Sequence, residues 1–302
     1  MINYRVAYLL MVHKNSKQVR RLIERLDAKQ AQFWIQVDLK VDLATFQREL
    51  EHMPQVHFVQ NRKSGAWGRF GFVEGNLEGI RSIARSGYAY DHLVILSGQD
   101  YLLSSNEAIL TLLAGNPLAS FMHYTPVADT PDAHVAERMR KYHIYVPFNK
   151  KVVYPYDSPT PVKKLLNGAL ALSGQFPLPR TLPGERPIFF GSNWVRLSKK
   201  AVNYLLDTLE REPELIRFFR YTTLAEEHIF QTILLSGSEA DRGEIINTNF
   251  TFCHWKRAPE LYTVPLGMSD LDLILGSGDL LARKFDMSHN VELMDYLDRN
   301  CS

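Results

Sequence analysis

Arg5-Val6-Ala7-Tyr8-Leu9-Leu10-Met11-Val12-His13 decides the fold. Its apolar side chains run on without polar alternation, so both faces of an extended segment have to be covered. Such a run suits a buried parallel strand. Parallel strands need crossover helices, and the following sequence supplies them. Val19, Leu22, Ile23 and Leu26 have helical spacing, with Ser16 placed to cap them. Residues 33–37 read as a second strand ending at Asp38, Leu43–Leu50 as a helix and 56–59 as a third strand. Residues 72–83 follow as a helix, 92–96 as another buried strand and 106–113 as another helix. This order predicts an α/β fold, a doubly wound sheet with helices on both faces. Ligands of such sheets bind beyond the carboxyl ends of the strands. His13, Asp38, Trp67 and Asp100 all fall there or in the loops that follow.

The 302 residues can bury a large core, and 45% hydrophobic with 23% charged content is ordinary for a globular chain. A net charge of +2 argues against a dedicated nucleic-acid binder. Cys253 and Cys301 make no disulfide framework and suit a reducing compartment. The apolar runs are too short to span a membrane, and the N-terminus lacks a signal-peptide pattern. Residues 123–187 hold ten of the fifteen prolines. Tyr142, Tyr145, Phe148, Tyr154 and Tyr156 would be costly to expose, so this stretch reads as an ordered, loop-rich insert. Helical patterns return at 198–209 and 225–235. No repeat or boundary divides the chain. Residues 1–302 therefore read as one domain.

Several motifs carry chemistry. In Leu281-Ala282-Arg283-Lys284-Phe285-Asp286 two cations sit among apolar neighbours. A solvated charge run is the ordinary explanation, but Leu280, Leu281, Ala282 and Phe285 place the pair at the rim of a core, where it suits a diphosphate. Leu96-Ser97-Gly98-Gln99-Asp100-Tyr101-Leu102 ends a buried strand in a carboxylate able to accept from sugar hydroxyls, or else in a turn with a capping Asp. Trp67-Gly68 can wall a pocket. Glu226 and Glu227 open a helical pattern, where acids also simply complement the helix dipole. Ile229, Phe230, Ile233 and Leu234 centre the apolar face nearer Glu226 than Glu227. Asp270-Leu271-Asp272 has an Asp-x-Asp pattern but lies late, in an apolar run. The histidines show no His-x-x-x-His spacing, and Gly-x-Ser-x-Gly and Walker loops are absent.

The 281–286 hexamer resembles the Ala-Arg-Lys-Phe box of the core-2/I-branching β-1,6-N-acetylglucosaminyltransferase and peptide O-xylosyltransferase family (glycosyltransferase family 14-like). Further segments resemble that family's motifs in its order. They are Tyr8 to Lys14, Ile35-Gln36-Val37-Asp38, Gly65-Ala66-Trp67-Gly68-Arg69, Leu96 to Leu102, Gly191-Ser192-Asn193-Trp194, Ala225-Glu226-Glu227-His228-Ile229-Phe230 and His254-Trp255. The resemblance implies a GT-A-type fold and an inverting, metal-independent transfer from a UDP-sugar, of GlcNAc or xylose, to a hydroxyl of a glycan or other acceptor. It implies that Glu227 is the general base. It places Val12, His13 and Asp38 at the nucleoside, Trp67 and Asp100 around the sugar, Arg283 and Lys284 on the diphosphate, and Trp255 at the acceptor. It implies a nucleotide-binding half over about 1–115 and an acceptor and catalytic half over about 116–302. The loop after the fourth strand offers one acid, Asp100, and no Asp-x-Asp, so no metal is expected, and no other cofactor or nucleic-acid partner. The membrane anchor and stem of animal members are missing, so a cytoplasmic catalytic domain with at most peripheral membrane contact is expected. Gln36, Arg69, Leu102 and Glu226 depart from the family pattern. These departures leave a non-catalytic nucleotide- or saccharide-binding homologue as the alternative.

Overall fold

The computed structural model describes residues 4–27, 30–145, 151–155, 160–257 and 261–301. The first half runs β1 (Val6–Val12), α1 (Ser16–Leu26), β2 (Ala31–Val37), α2 (Leu43–Leu50), β3 (Val56–Phe58), α3 (Gly71–Arg85), β4 (His92–Ser97), β5 (Asp100–Leu102) and α4 (Asn106–Gly115). β1 is buried along its whole length and pairs in parallel with both β2 and β4. Successive strand side chains point to opposite faces, and the two cores divide accordingly. Tyr8, Leu10 and Val12 pack toward α1 and α2, while Ala7, Leu9 and Met11 pack toward α3. A Cβ on Gly79 of α3 would lie 2.4 Å from the Leu9 side chain, so only glycine lets the helix come this close.

The second half continues with β6 (Ser120–Phe121), β7 (Tyr124–Pro126), α5 (Ala133–Arg140), β8 (Tyr142–Tyr145), β9 (Lys151–Tyr154), α6 (Pro161–Leu172), β10 (Phe189–Gly191), β11 (Arg196–Ser198), α7 (Lys199–Arg211) and α8 (Pro213–Phe219). Next come α9 (Ile229–Ser236), α10 (Glu239–Arg242), β12 (Ile245–Ile246), β13 (Thr251–Cys253), β14 (Trp255–Arg257), β15 (Leu261–Thr263), α11 (Leu271–Leu275), β16 (Leu281–Arg283) and α12 (Met287–Asn300). The central sheet has the order β12-β6-β11-β4-β1-β2-β3 and so draws on both halves of the chain. β11 is antiparallel to β4 and β6, which makes the sheet mixed, with helices on both faces. A small sheet, β13-β16-β5, adjoins it.

Two local expectations change. Asn15 takes a left-handed conformation (φ 53°) ahead of α1, so Ser16 is its first residue and not its cap. Asn is among the few residues that adopt this region readily. The insert is more regular than its proline content suggests, since it holds α5, the β8–β9 hairpin and α6. Tyr142, Tyr154 and Phe176 form a small aromatic core there, which accounts for two of the tyrosines. Phe148 and Tyr156 lie outside the described residues.

Candidate active site

β1 and β2 end in register at Val12 and Val37, so His13 and Asp38 leave the sheet side by side. The Asp38 N–H donates to the Val12 carbonyl at 2.8 Å. Its Oδ2 accepts from the Gly65 N–H at 2.8 Å and its Oδ1 from the Lys40 N–H at 2.8 Å. Partial burial lowers the His13 pKa. Lys14 and Lys284 lower it further, and Asp38 opposes them. The nucleoside candidates Val12, His13 and Asp38 are therefore gathered at one strand edge, within the electrostatic reach of Lys284.

The cationic pair arrives from the far end of the chain. β16 lies antiparallel to β5, and its register sets Arg283 opposite Asp100. Arg283 Nε is 3.0 Å from Asp100 Oδ1, and Asp100 Oδ2 accepts from the Ser97 N–H at 2.6 Å. The Asp100 carboxylate has no exposed surface. Burial pushes its pKa up, against the pull of Arg283, the Ser97 N–H and Arg196. Asp100, expected around the sugar, is turned inward in this structure and anchors Arg283. The Arg283 guanidinium is in turn centred 4.3 Å from the Trp194 ring. Trp194 meets Phe72 edge-on at 6.1 Å, and Phe72 borders Gly65, whose N–H holds Asp38. The floor from Arg283 to Asp38 is thus continuous.

Two residues not singled out from the sequence fix this corner. Fully buried Gln18 donates to the Gly98 carbonyl (2.8 Å) and the Phe285 carbonyl (3.1 Å), and accepts from the Met287 N–H (2.8 Å). Lys14 Nζ is 2.6 Å from Asp286 Oδ2. Burial opposes ionisation of Asp286, but hydrogen bonds from Lys14, Ser288 and Asn15 hold its carboxyl well below the usual range. The Lys284 pKa is lowered, first by burial and then by Arg283 and Lys14. A cation so crowded gains from an anionic partner.

On the other side stands the acidic pair. Ala225–Glu227 forms a 3-10 turn after left-handed Leu224, and α9 starts only at Ile229. This break sends the two acids in different directions. Glu226 is buried, with Oε2 unpartnered, and burial together with Glu227 raises its pKa to about 7. Glu227 is only half-buried, and its Oε2 accepts from Arg138 Nη1 of α5 at 2.8 Å. Burial raises its pKa while Arg138 opposes the rise. Arg138 and Trp67 line a cavity of about 460 Å³ together with Glu137, Tyr145, Thr223 and Leu224. Trp67, 84% exposed, stands at its mouth. The neighbouring Gly68 carbonyl accepts from the Tyr145 hydroxyl (3.0 Å), the Thr223 hydroxyl (3.4 Å) and the Leu224 N–H (3.4 Å). The Trp67 loop is therefore tied to the turn that carries Glu227. Arg69, one of the departures from the family pattern, lies 4.7 Å from the Tyr145 ring centre in a cation–π contact. Trp255 lies in β14, and its side chain falls outside the described residues.

Comparison with known proteins points to one family. The profile of the Core-2/I-Branching enzyme family matches residues 6–274. The chain is 25% identical to xylosyltransferase oxt of Drosophila melanogaster over 259 residues, covering 84% of this chain and 26% of that protein. It is 23% identical to an N-acetyllactosaminide beta-1,6-N-acetylglucosaminyl-transferase of Mus musculus over 236 residues, covering 77% of this chain and 53% of that protein. The chain thus spans about a quarter of the length of the xylosyltransferase it matches. Among solved structures, apo mouse xyloside xylosyltransferase 1 is similar at a TM-score of 0.35 and 10% identity, over 81% of this chain and 84% of that one.

Proposed function

The chain belongs to the Core-2/I-branching enzyme family, and from that premise we propose that it is an inverting glycosyltransferase that moves GlcNAc or xylose from a UDP-sugar to an acceptor hydroxyl. In this reading the uridine lies over Val12, His13 and Asp38, and Lys284 with the Asp100-anchored Arg283 receives the diphosphate. The acceptor enters the cavity at Trp67, with Trp255 as a further contact. Its hydroxyl oxygen bonds to the anomeric carbon as the bond from that carbon to the β-phosphate oxygen breaks. Glu227 takes the hydroxyl proton, and the departing diphosphate keeps the electron pair. The developing negative charge falls on fixed cations, the service a metal gives in other enzymes, so the reaction is proposed to need no metal.

The observation that carries this reading is the separation of the two acids. Glu227 is partly exposed and paired with Arg138, which lines the cavity, and burial raises its basicity, while Glu226 is turned into the core. A general base works best with a pKa drawn toward the working pH. The departures from the family pattern also have local explanations: Gln36 and Leu102 are buried, and Arg69 stacks on Tyr145.

The test is a screen of UDP-sugars read by UDP release, followed by Glu227→Gln. General-base loss should lower transfer by about 10²–10⁴-fold with UDP affinity nearly unchanged. Full activity in Glu227→Gln, alongside a dead Glu226→Gln, would move the base by one residue. UDP binding without transfer from any donor would favour a binding protein.

A further inference from the structure

We propose that α6 is a membrane-docking helix that seats this protein on an anionic lipid bilayer. The helix turns its apolar stripe away from the protein. Leu165, Ala169 and Leu172 share one face at i, i+4 and i+7. Leu165 is 75% exposed and Leu172 89%, and neighbouring Leu166 is 42% exposed. The inner contact is made instead by Leu170, which packs on Tyr142, Tyr154 and Phe176. The helix is therefore anchored without its outer leucines, at positions where a surface helix ordinarily carries polar groups.

Charge identifies what covers this face. From Ala133 to Arg180 the sequence holds eight Lys and Arg against two acids, a balance of +6. The whole chain carries +2, so the remainder carries −4. Arg180 of this stretch is buried and Arg138 pairs with Glu227, but α6 itself carries Lys163 and Lys164 and no acid, with exposed Lys164 beside the leucines. A second copy using the same face would set the lysines of two α6 helices against each other, which is unfavourable. Anionic headgroups complement the charge while the acyl boundary takes the leucines. Among the described residues no helix is long and apolar enough to cross a membrane, so the contact is interfacial. The catalytic cavity would come with it. Val153 lines that cavity, and the next residue of β9, Tyr154, lies under α6.

The experiment is co-sedimentation with vesicles of phosphatidylcholine alone or with added phosphatidylglycerol, at low and high salt. The wild-type chain should bind the anionic vesicles at least about tenfold more tightly than the neutral ones, and salt should weaken that binding. The double substitution L165E/L172E should reduce it by about tenfold or more, and Lys164→Glu should weaken it less. Both leucines are exposed, so circular dichroism and thermal melting should match wild type. Equal binding to both vesicle types, or undiminished binding by L165E/L172E, would overturn the proposal. So would light scattering that finds a wild-type dimer which L165E/L172E converts to monomer, because the face would then belong to a second copy.

Discussion

Asp100→Asn should cripple this protein without removing a single atom from the candidate pocket. The substitution keeps the side-chain shape and an oxygen to accept from the Ser97 N–H, 2.6 Å away in the wild type. It removes the charge that faces Arg283 Nε at 3.0 Å. Arg196 is also fully buried nearby, and burial pushes its pKa down to about 10, with Asp100 its main support. Breaking a buried ion pair by neutralising one partner costs about 3–5 kcal/mol, because the other charge is left uncompensated. For 302 residues the unfolding entropy is about 0.6 kcal/mol/K, so Tm should fall by about 5–8 °C. The assay is thermal unfolding of Asp100→Asn, Arg283→Met and the double substitution Asp100→Leu/Arg283→Met. The double variant should recover most of the loss, since well-packed apolar replacements of buried pairs are often tolerated. UDP affinity should fall in Asp100→Asn as well, because Arg283 loses its anchor. A Tm within about 1 °C of wild type would refute the argument that this pair carries a large interaction.

Three further outcomes follow from the same geometry. Lys284→Ala should weaken UDP binding by about 1.5–3 kcal/mol if it makes a charged hydrogen bond, while uridine binding changes little; equal losses would point to damaged folding. Transfer should survive excess EDTA, and activity lost on chelation and restored by Mn²⁺ would overturn the metal-independent reading. Glu226 is buried, and its pKa is raised to about 7 from an ordinary value of 4.5. The folded state therefore holds a proton that the unfolded state has lost over this range, so the contribution of Glu226 to stability is fully present below pH 4.5 and is lost as pH rises through about 7. The loss is about 3 kcal/mol, and Glu226→Gln should remove this pH dependence from thermal melts; a wild-type Tm flat from pH 5 to 8 would contradict it.

Arg138 gives a separate handle on the base. Its guanidinium opposes the upward shift of the Glu227 pKa. Arg138→Gln should therefore move the acid limb of the pH–rate profile upward, so that transfer is lost most at low pH. An equal loss at every pH would indicate a positional role alone.

The central sheet was readable because its determinants are local. β1 is a continuous apolar run, and α3 and α7 show their spacing within a dozen residues. The site was readable only in part. β5 and β16 are three residues each, too short for periodicity to register, and only their pairing across the chain turns Asp100 from a ligand candidate into an anchor. Arg138 looks like an ordinary solvated cation in a basic helix until the fold brings Glu227 to it. The helical wheel drew attention to Glu226 correctly as the buried acid. The pattern did not reveal that a 3-10 turn would release Glu227 toward solvent. Gln18 carries no motif at all; its role is set by carbonyls about 80 and 267 positions away in sequence.

That distance has a consequence for how the molecule is made. Arg283 reaches Ser97 across 186 positions, and Lys14 reaches Asp286 across 272. Chains emerge from the ribosome N-terminus first. A nascent chain that has delivered β1 to β5 can close much of its sheet, yet Asp100 and the Lys14 corner lack their partners until residues 281–286 arrive. Contacts of such long sequence separation form slowly, because a large loop must close before they repay anything. The corner that joins Lys14, Asp100 and Arg283 is therefore among the last parts to assemble, and an incomplete polypeptide lacks the cations for which the diphosphate role is proposed.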